Sequence, residues 1–202
     1  MAYPEFARRA VADALVEQGF RAARGQRRFE REFEDGTGYV EMFTDGRPWG
    51  PGQAQVSANV SFRSRLLARA FDLEPPRILE APGVQWKRWV GNLGESSPPS
   101  YWTVTAEDPT TIEPVLDCLR TLAVPALLHH ASDRAIRDEL LEGPEDGLLA
   151  DRAMSKAYLA VLLATYGPPD LLPEMEAWVR RVGDAGSTDC QAAVRFLNEL
   201  ER

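Results

Sequence analysis

The spacing of hydrophobic and polar residues changes once along the chain, close to Asp108. Before this residue, apolar side chains alternate with polar ones in several short stretches, whereas after it they recur every three or four residues. Alternation is typical of strands with two different faces, and the longer spacing is typical of amphipathic helices. Because the strands come early and the helices late, the pattern predicts an α+β fold with an antiparallel sheet.

The first half of the chain predicts an N-terminal amphipathic helix over residues 4–19, which Gly19 ends. A short helix follows later over residues 63–71, and the DGTG segment at residues 35–38 predicts a hairpin turn. The predicted strands cover residues 27–34, 39–43, 54–62, 83–93 and 101–105. Among them, residues 54–62 alternate most regularly, so they give the strongest strand prediction.

The second half predicts a series of helices. They cover residues 112–123, 127–141, 151–166, 171–182 and 189–200, and Ser132 is the expected N-cap within the second of these stretches. A sheet with one apolar face needs a cover. We therefore predict a single domain over residues 1–202, in which the helical half, residues 108–202, covers one face of the sheet formed within residues 1–107.

The charge of the chain is acidic and unevenly distributed. Residues 1–105 hold 14 Lys and Arg against 13 Asp and Glu, a net +1, and residues 106–202 hold 9 against 18, a net −9, in agreement with the total of −8. A nucleic-acid-binding protein presents a basic face, so this balance argues against one. The acidic half could offer a negative surface to a basic partner, but solubility alone explains the charge, and we favour that interpretation.

Cysteine content and hydropathy bear on the compartment. Cys118 and Cys190 are the two cysteines, and both fall in predicted helices, which favours buried thiols over a disulfide framework. No apolar run reaches the length that spans a bilayer, and the N-terminal helix lacks the apolar stretch of a signal peptide. We therefore predict a cytoplasmic protein with no membrane partner.

The N-terminal segments occur in a recognisable order. A helix ending in Gly19-Phe20 precedes RAARGQRRF, then FEREF, EDGTG, YVEMF and, after a Trp-Gly loop, VSANVSF. This order resembles a bacterial family known as domain of unknown function four-three-zero-four, over roughly residues 5–105. The resemblance implies a shared strand-and-turn fold, and it brings no activity, cofactor or catalytic residue.

The sequence contains two histidines that could take part in catalysis. His129 and His130 are adjacent, so on a helix they point in different directions and do not form a joint metal site. They could act as a general base with Asp133 or Asp138, but a polar helix end explains them as well, and we favour that. The glycine-rich segment DGRPWGPG contains prolines and joins strands, so it predicts a loop and not a phosphate cradle. We predict no catalytic residue, metal or cofactor, and we lean against an enzyme.

Two clusters could bind a partner or ligand. Arginines gather around the first strand, where they could bind an anion or be neutralised by neighbouring glutamates, and we favour neutralisation. Aromatic residues gather on the later strands, where Trp86 and Arg88 share one face and Lys87 and Trp89 the other; core packing is the favoured role for most of them. Trp49, in the Pro-Gly loop, could form a lid. The candidate binding residues are Arg28, Trp49, Trp86, Arg88, Trp89, Tyr101 and Trp102.

Two functional hypotheses follow. The first is a non-catalytic interaction or regulatory protein, of which an immunity-type protein would have this size and charge, with a protein partner. The second is a small-molecule-binding or anion-binding protein, or an enzyme, with a pocket between the sheet and the helices. Nucleic-acid binding through the arginines is a minor third option. The oligomeric state is not predicted.

Overall fold

The structure is a computed structural model. It describes residues 5–23, 27–44, 52–73, 85–93, 101–142 and 152–202. The strands are β1 Arg21–Ala22, β2 Arg28–Glu32, β3 Gly36–Thr44, β4 Gln53–Ser64, β5 Trp86–Trp89 and β6 Trp102–Thr105. The helices are α1 Glu5–Glu17, α2 Arg65–Ala70, α3 Glu113–Cys118, α4 Val124–His130, α5 Asp133–Glu142, α6 Arg152–Tyr166, α7 Leu172–Asp184 and α8 Thr188–Leu200.

These elements confirm the α+β class. The N-terminal helix precedes an antiparallel sheet, and the C-terminal part of the chain is helical. In the sheet, β1 to β5 lie in chain order, and β6 pairs with β4. The register of the last pair places Val56 opposite Trp102 and Ala54 opposite Val104. In the described part of the chain, no helix is both long and apolar enough to cross a membrane.

The end of α1 confirms the predicted role of Gly19. This glycine has a φ of +83°, in the left-handed region that side chains with a Cβ disfavour. Its N–H donates to the carbonyl of Val16 at 2.9 Å, and the N–H of Phe20 donates to the carbonyl of Leu15 at 3.0 Å. This pair of bonds is the Schellman motif, which satisfies the last carbonyls of a helix.

The hairpin between β2 and β3 is confirmed, but its turn lies earlier than predicted. Strand β3 already begins at Gly36, and Thr37 pairs with Glu32. Gly38 is therefore a strand residue. A Cβ at this position would lie 2.7 Å from the ring of Phe33 and 3.2 Å from Leu127. Close packing, and not a turn, explains this glycine.

Strand β5 is shorter than the predicted stretch of residues 83–93. After Trp89 the chain forms a single 3₁₀ turn over Val90–Asn92. Val90 and Leu93 are buried, so the apolar pattern continues although the strand has ended. Hydrophobic burial without regular pairing produces the same sequence signal as a strand, which explains the difference.

The chain divides into two compact units. The first comprises residues 1–33, 37–62 and 87–129, and the second comprises residues 34–36, 63–86 and 130–202. The first unit thus holds α1, most of the sheet, α3 and nearly all of α4. The change of pattern near Asp108 therefore marks a change of secondary structure and not a boundary between the units. That residues 1–202 form one domain stays a prediction.

In the second unit, α6 packs against α5, α7 and α8. It is the most apolar of these helices, and residues 157–163 along it are buried without a break. The neighbouring α5 begins as predicted, because the hydroxyl of Ser132 accepts the N–H of Ala135 at 3.1 Å. A side-chain cap and a buried neighbour therefore fix the start of α5.

Candidate functional site

Three aromatic side chains of the first unit contact one another; we call Phe43, Trp89 and Tyr101 the aromatic trio. The ring centroids of Trp89 and Tyr101 are 5.7 Å apart, and those of Phe43 and Tyr101 are 6.2 Å apart, both pairs edge to face. Phe43 and Trp89 are 6.3 Å apart at an intermediate tilt. All three side chains are half-buried. Edge-to-face packing holds such rings in fixed positions while leaving part of each ring accessible.

A hydrogen bond holds the central ring of the trio. The indole Nε1 of Trp89 donates to the hydroxyl of Ser57 at 2.6 Å. Ser57 lies on β4 and is fully buried. Because an indole N–H seeks a partner when it leaves water, this bond orients Trp89 over the polar side of β4.

An ion pair lies on the same sheet. Arg28 and Glu41 are directly opposite each other on β2 and β3, and Arg28 Nη2 lies 3.5 Å from Glu41 Oε2. The guanidinium also lies 5.3 Å from the ring centroid of Tyr39. Burial raises the pKa of Glu41, although Arg28 and, more weakly, Lys87 act in the opposite direction. Lys87 therefore lies close enough to influence Glu41, on the face that the alternation of β5 predicts for it.

Three of the arginines on β1 and β2 are engaged inside the unit, namely Arg21, Arg28 and Arg31. Arg21 Nε lies 3.0 Å from Glu30 Oε1, and Arg31 Nη1 donates to the carbonyl of Gln18 at 2.9 Å. The pairs of Arg21 with Glu30 and of Arg28 with Glu41 agree with the interpretation that neighbouring glutamates neutralise these two arginines, whereas Arg31 bonds to a backbone carbonyl. Arg28 is thus a partner of Glu41 in the structure.

The other predicted binding residues are not members of the trio. Trp86 is 1 % exposed and stacks on His130 in the second unit, with ring centroids 4.5 Å apart and planes 12° apart. Trp102 is buried on β6. Arg88 is half-buried and donates Nη1 to the carbonyl of Lys87 at 3.3 Å.

Trp49, the proposed lid, lies outside the described residues. The structure brings Trp89 and Tyr101 together, and it adds Phe43, which the sequence placed only in a strand. The alternation of Tyr39, Glu41 and Phe43 along β3 is the signal that could have found it, because residues two apart share a face.

The comparisons with known proteins give no relative. No family model, no curated protein and no solved structure matches the chain. The resemblance of residues 5–105 to the bacterial family of unknown function stays a prediction.

A second group of polar side chains lies inside the second unit; we call Asp35, Ser64, Asp133 and Tyr166 the carboxylate cluster. The phenol of Tyr166 donates to Asp133 Oδ2 at 3.1 Å, and the hydroxyl of Ser64 also bonds to this carboxylate. The N–H of Asp133 donates to Asp35 Oδ2 at 3.1 Å. Asp133 and Ser64 are 1 % and 0 % exposed. Such burial keeps solutes away from both groups.

The cluster changes the proton affinity of two members. Burial raises the pKa of Asp133, and the negative Asp35 adds to this, while Ser64, Tyr166 and Arg65 act in the opposite direction. Burial and then Asp133 raise the pKa of Tyr166 to about 12. A tyrosine held protonated is a hydrogen-bond donor, which is the part it plays here.

The cluster also joins the β2–β3 turn to two helix starts. The carbonyl of Asp35 accepts the N–H of Arg65 at 2.8 Å, at the start of α2. Ser64 caps the same helix by accepting the N–H of Leu67 at 3.0 Å. The carboxylate of Asp35 serves the first N–H of α5, on Asp133. We interpret the cluster as a structural link, since it satisfies donors that helices leave open.

His130 contacts a glutamate of α5. His130 Nε2 lies 3.4 Å from Glu139 Oε2, while Asp138 lies 2.6 Å from Arg137. Of the possible metal ligands in the described part of the chain, no three or more His, Cys, Asp or Glu side chains form a group that could hold an ion. The aromatic trio is therefore the candidate functional site.

Proposed function

We propose that this chain is a non-catalytic interaction protein that binds a partner protein through the aromatic trio. The observation that carries the proposal is the mutual packing of three half-buried rings, with Trp89 fixed by Ser57. Ordered aromatic side chains lose little conformational entropy on binding and contribute large contact areas, which is why they dominate protein interfaces.

Charge on β5 completes this surface. Lys87 lies on the same side of the strand as Trp89, and Arg88 follows it on the other side. Both side chains are half-buried. We expect the partner to place apolar surface against the rings and a carboxylate near Lys87, because charges at the rim steer association and favour one orientation.

We further propose that the chain has a regulatory role in the cytoplasm of a bacterium, as an immunity-type protein would. Two observations support a reducing compartment: Cys118 and Cys190 are both free and both buried. The alternative hypothesis, a ligand pocket between the sheet and the helices, stays a prediction.

Co-purification tests the proposal. The tagged chain is expressed in its native host, and the captured proteins are compared with those of a Lys87→Glu/Tyr101→Ala variant. We expect a stoichiometric partner with the native chain and a loss of about tenfold or more with the variant, as interface truncations of this kind cost roughly 1–2 kcal/mol each.

The matched control is Trp178→Ala, which removes a half-buried aromatic residue of α7 in the second unit. Circular dichroism confirms that each variant is folded. Two results contradict the proposal: a native chain that is always recovered alone, or a partner that the double variant still captures in full.

A further inference from the structure

A groove lies beside α1 in the first unit, and its lining includes no residue of the aromatic trio. Its volume is about 250 Å³. The side chains that line it are Glu5, Arg8, Arg9, Ala12, Ala22 and Phe29. We call it the arginine groove. It is somewhat smaller than the range of roughly 300–1,000 Å³ that is usual for drug-sized ligands, so it suits a smaller molecule.

Small side chains create the space. The other face of α1, with Ala7, Val11 and Leu15, is buried. Ala12 lies on the flank of the helix, and Ala22 on β1 pairs with Phe29 on β2. Because two alanines face this region where longer side chains would fill it, the helix and the strands leave an apolar floor.

Two arginines give one wall of the groove its charge. Arg8 and Arg9 extend from the first turns of α1, and Glu5 opposes them from the same helix. Arg8 Nη2 lies 3.8 Å from Glu5 Oε1, and the Glu5 side chain is 89 % exposed. An exposed pair at this distance contributes little free energy, so it does not commit the guanidinium. The lining carries a net charge of +1, counted from these three residues.

We propose that the arginine groove binds a small organic carboxylate with a short apolar chain. A guanidinium binds a carboxylate through charged hydrogen bonds, and Arg9 is exposed at the groove. The apolar part would lie on Ala12, Ala22 and Phe29, whose burial against hydrocarbon is favourable. The binding site is independent of the proposed protein interaction, since the two surfaces share no residue.

The test is a titration of the isotope-labelled protein followed by NMR chemical shifts. The probes are hexanoate, hexan-1-ol and inorganic phosphate, each raised to about 20 mM, because a ligand this small is expected to bind in the millimolar range. We expect hexanoate to shift the amides of Ala12 and Ala22, and to bind at least threefold more tightly than either other probe.

Variants locate the site. Arg9→Gln removes the exposed charge and should weaken hexanoate binding about tenfold, and Ala22→Leu should fill the floor and abolish it. Arg195→Gln, at an exposed position on α8, is the matched control and should bind like the native chain. The proposal is overturned by the absence of hexanoate shifts, by equal binding of hexanol or phosphate, or by unchanged binding in Arg9→Gln and Ala22→Leu.

Discussion

The aromatic trio and the carboxylate cluster both contain hydrogen-bonded side chains, but they differ in burial and in how many of their members form hydrogen bonds. The trio is half-buried on one sheet and uses one hydrogen bond, from Trp89 to Ser57. The cluster is closed from water at Asp133 and Ser64, and each member bonds to another segment of the chain. Accessible rings suit binding, whereas buried polar groups that bond to one another suit the definition of one folded arrangement.

This difference predicts that the cluster contributes more to stability than the trio. A buried polar group that loses its partner costs more than the mean worth of a hydrogen bond, because the remaining group stays out of water. In the half-buried trio, water can reach part of each side chain and can replace some of the contacts that a substitution removes. Substitutions in the cluster should therefore lower the free energy of unfolding more than substitutions in the trio.

The largest effect is expected for Ser64→Ala. Ser64 caps α2 through the N–H of Leu67 and also bonds to the carboxylate of Asp133. Losing both should lower the free energy of unfolding by about 2–3 kcal/mol, measured by urea denaturation. Ser132→Ala is the matched control, since Ser132 caps α5 without serving the cluster, and it should cost about 1 kcal/mol. Equal losses would show that the bond to Asp133 contributes nothing.

A smaller effect is expected in the trio. Trp89→Phe and Ser57→Ala each remove one end of the 2.6 Å hydrogen bond, and each should cost about 1–2 kcal/mol. The loss of stability in the variant that combines both substitutions should be about 1 kcal/mol smaller than the sum of the two single losses, because the bond can be lost only once. Urea denaturation of the four proteins of this cycle measures the coupling. Strict additivity would mean that the bond does not stabilise the fold, and that Trp89 is held by packing alone.

The two regions also differ in how far the sequence reveals them. Alternation along β5 places Lys87 and Trp89 on one face, and the influence of Lys87 on the pKa of Glu41 and the hydrogen bond of Trp89 to Ser57 agree with this. Local rules likewise predict the end of α1 at Gly19 and the cap at Ser132. Each of these features depends on residues within a few positions of one another, where spacing and turn chemistry are sufficient.

The carboxylate cluster has no such local signal. Asp35 and Asp133 are 98 positions apart, and Asp133 and Tyr166 are 33 apart. Only the tertiary fold brings them together, so turn and cap preferences identify the residues singly but not their contact. Gly38 shows the same limit on a smaller scale, because the ring of Phe33 that requires it packs there only once the hairpin has formed.

The smallest effect concerns the pH dependence of the cluster. The pKa of Asp133 is raised above its ordinary value of 3.8, chiefly by burial. The folded state therefore binds this proton more tightly than the unfolded state does. The contribution of this protonation to stability is complete below the pKa that Asp133 has in the unfolded state, and it is lost as the pH rises through the pKa of the folded state. Stability should fall with rising pH in the window that begins near pH 4.

Asp133→Asn removes this proton equilibrium while keeping an oxygen that can accept from Tyr166. The stability of the variant relative to the native chain should therefore rise between pH 4 and pH 7, measured by urea denaturation at several pH values. Glu41 has a raised pKa as well, but it is present in both proteins, so its effect cancels. Glu142→Gln, at an exposed position on α5, should show no such trend. A relative stability that falls with pH would mean that Ser64, Tyr166 and Arg65 outweigh burial and Asp35, so that the cluster favours the charged carboxylate.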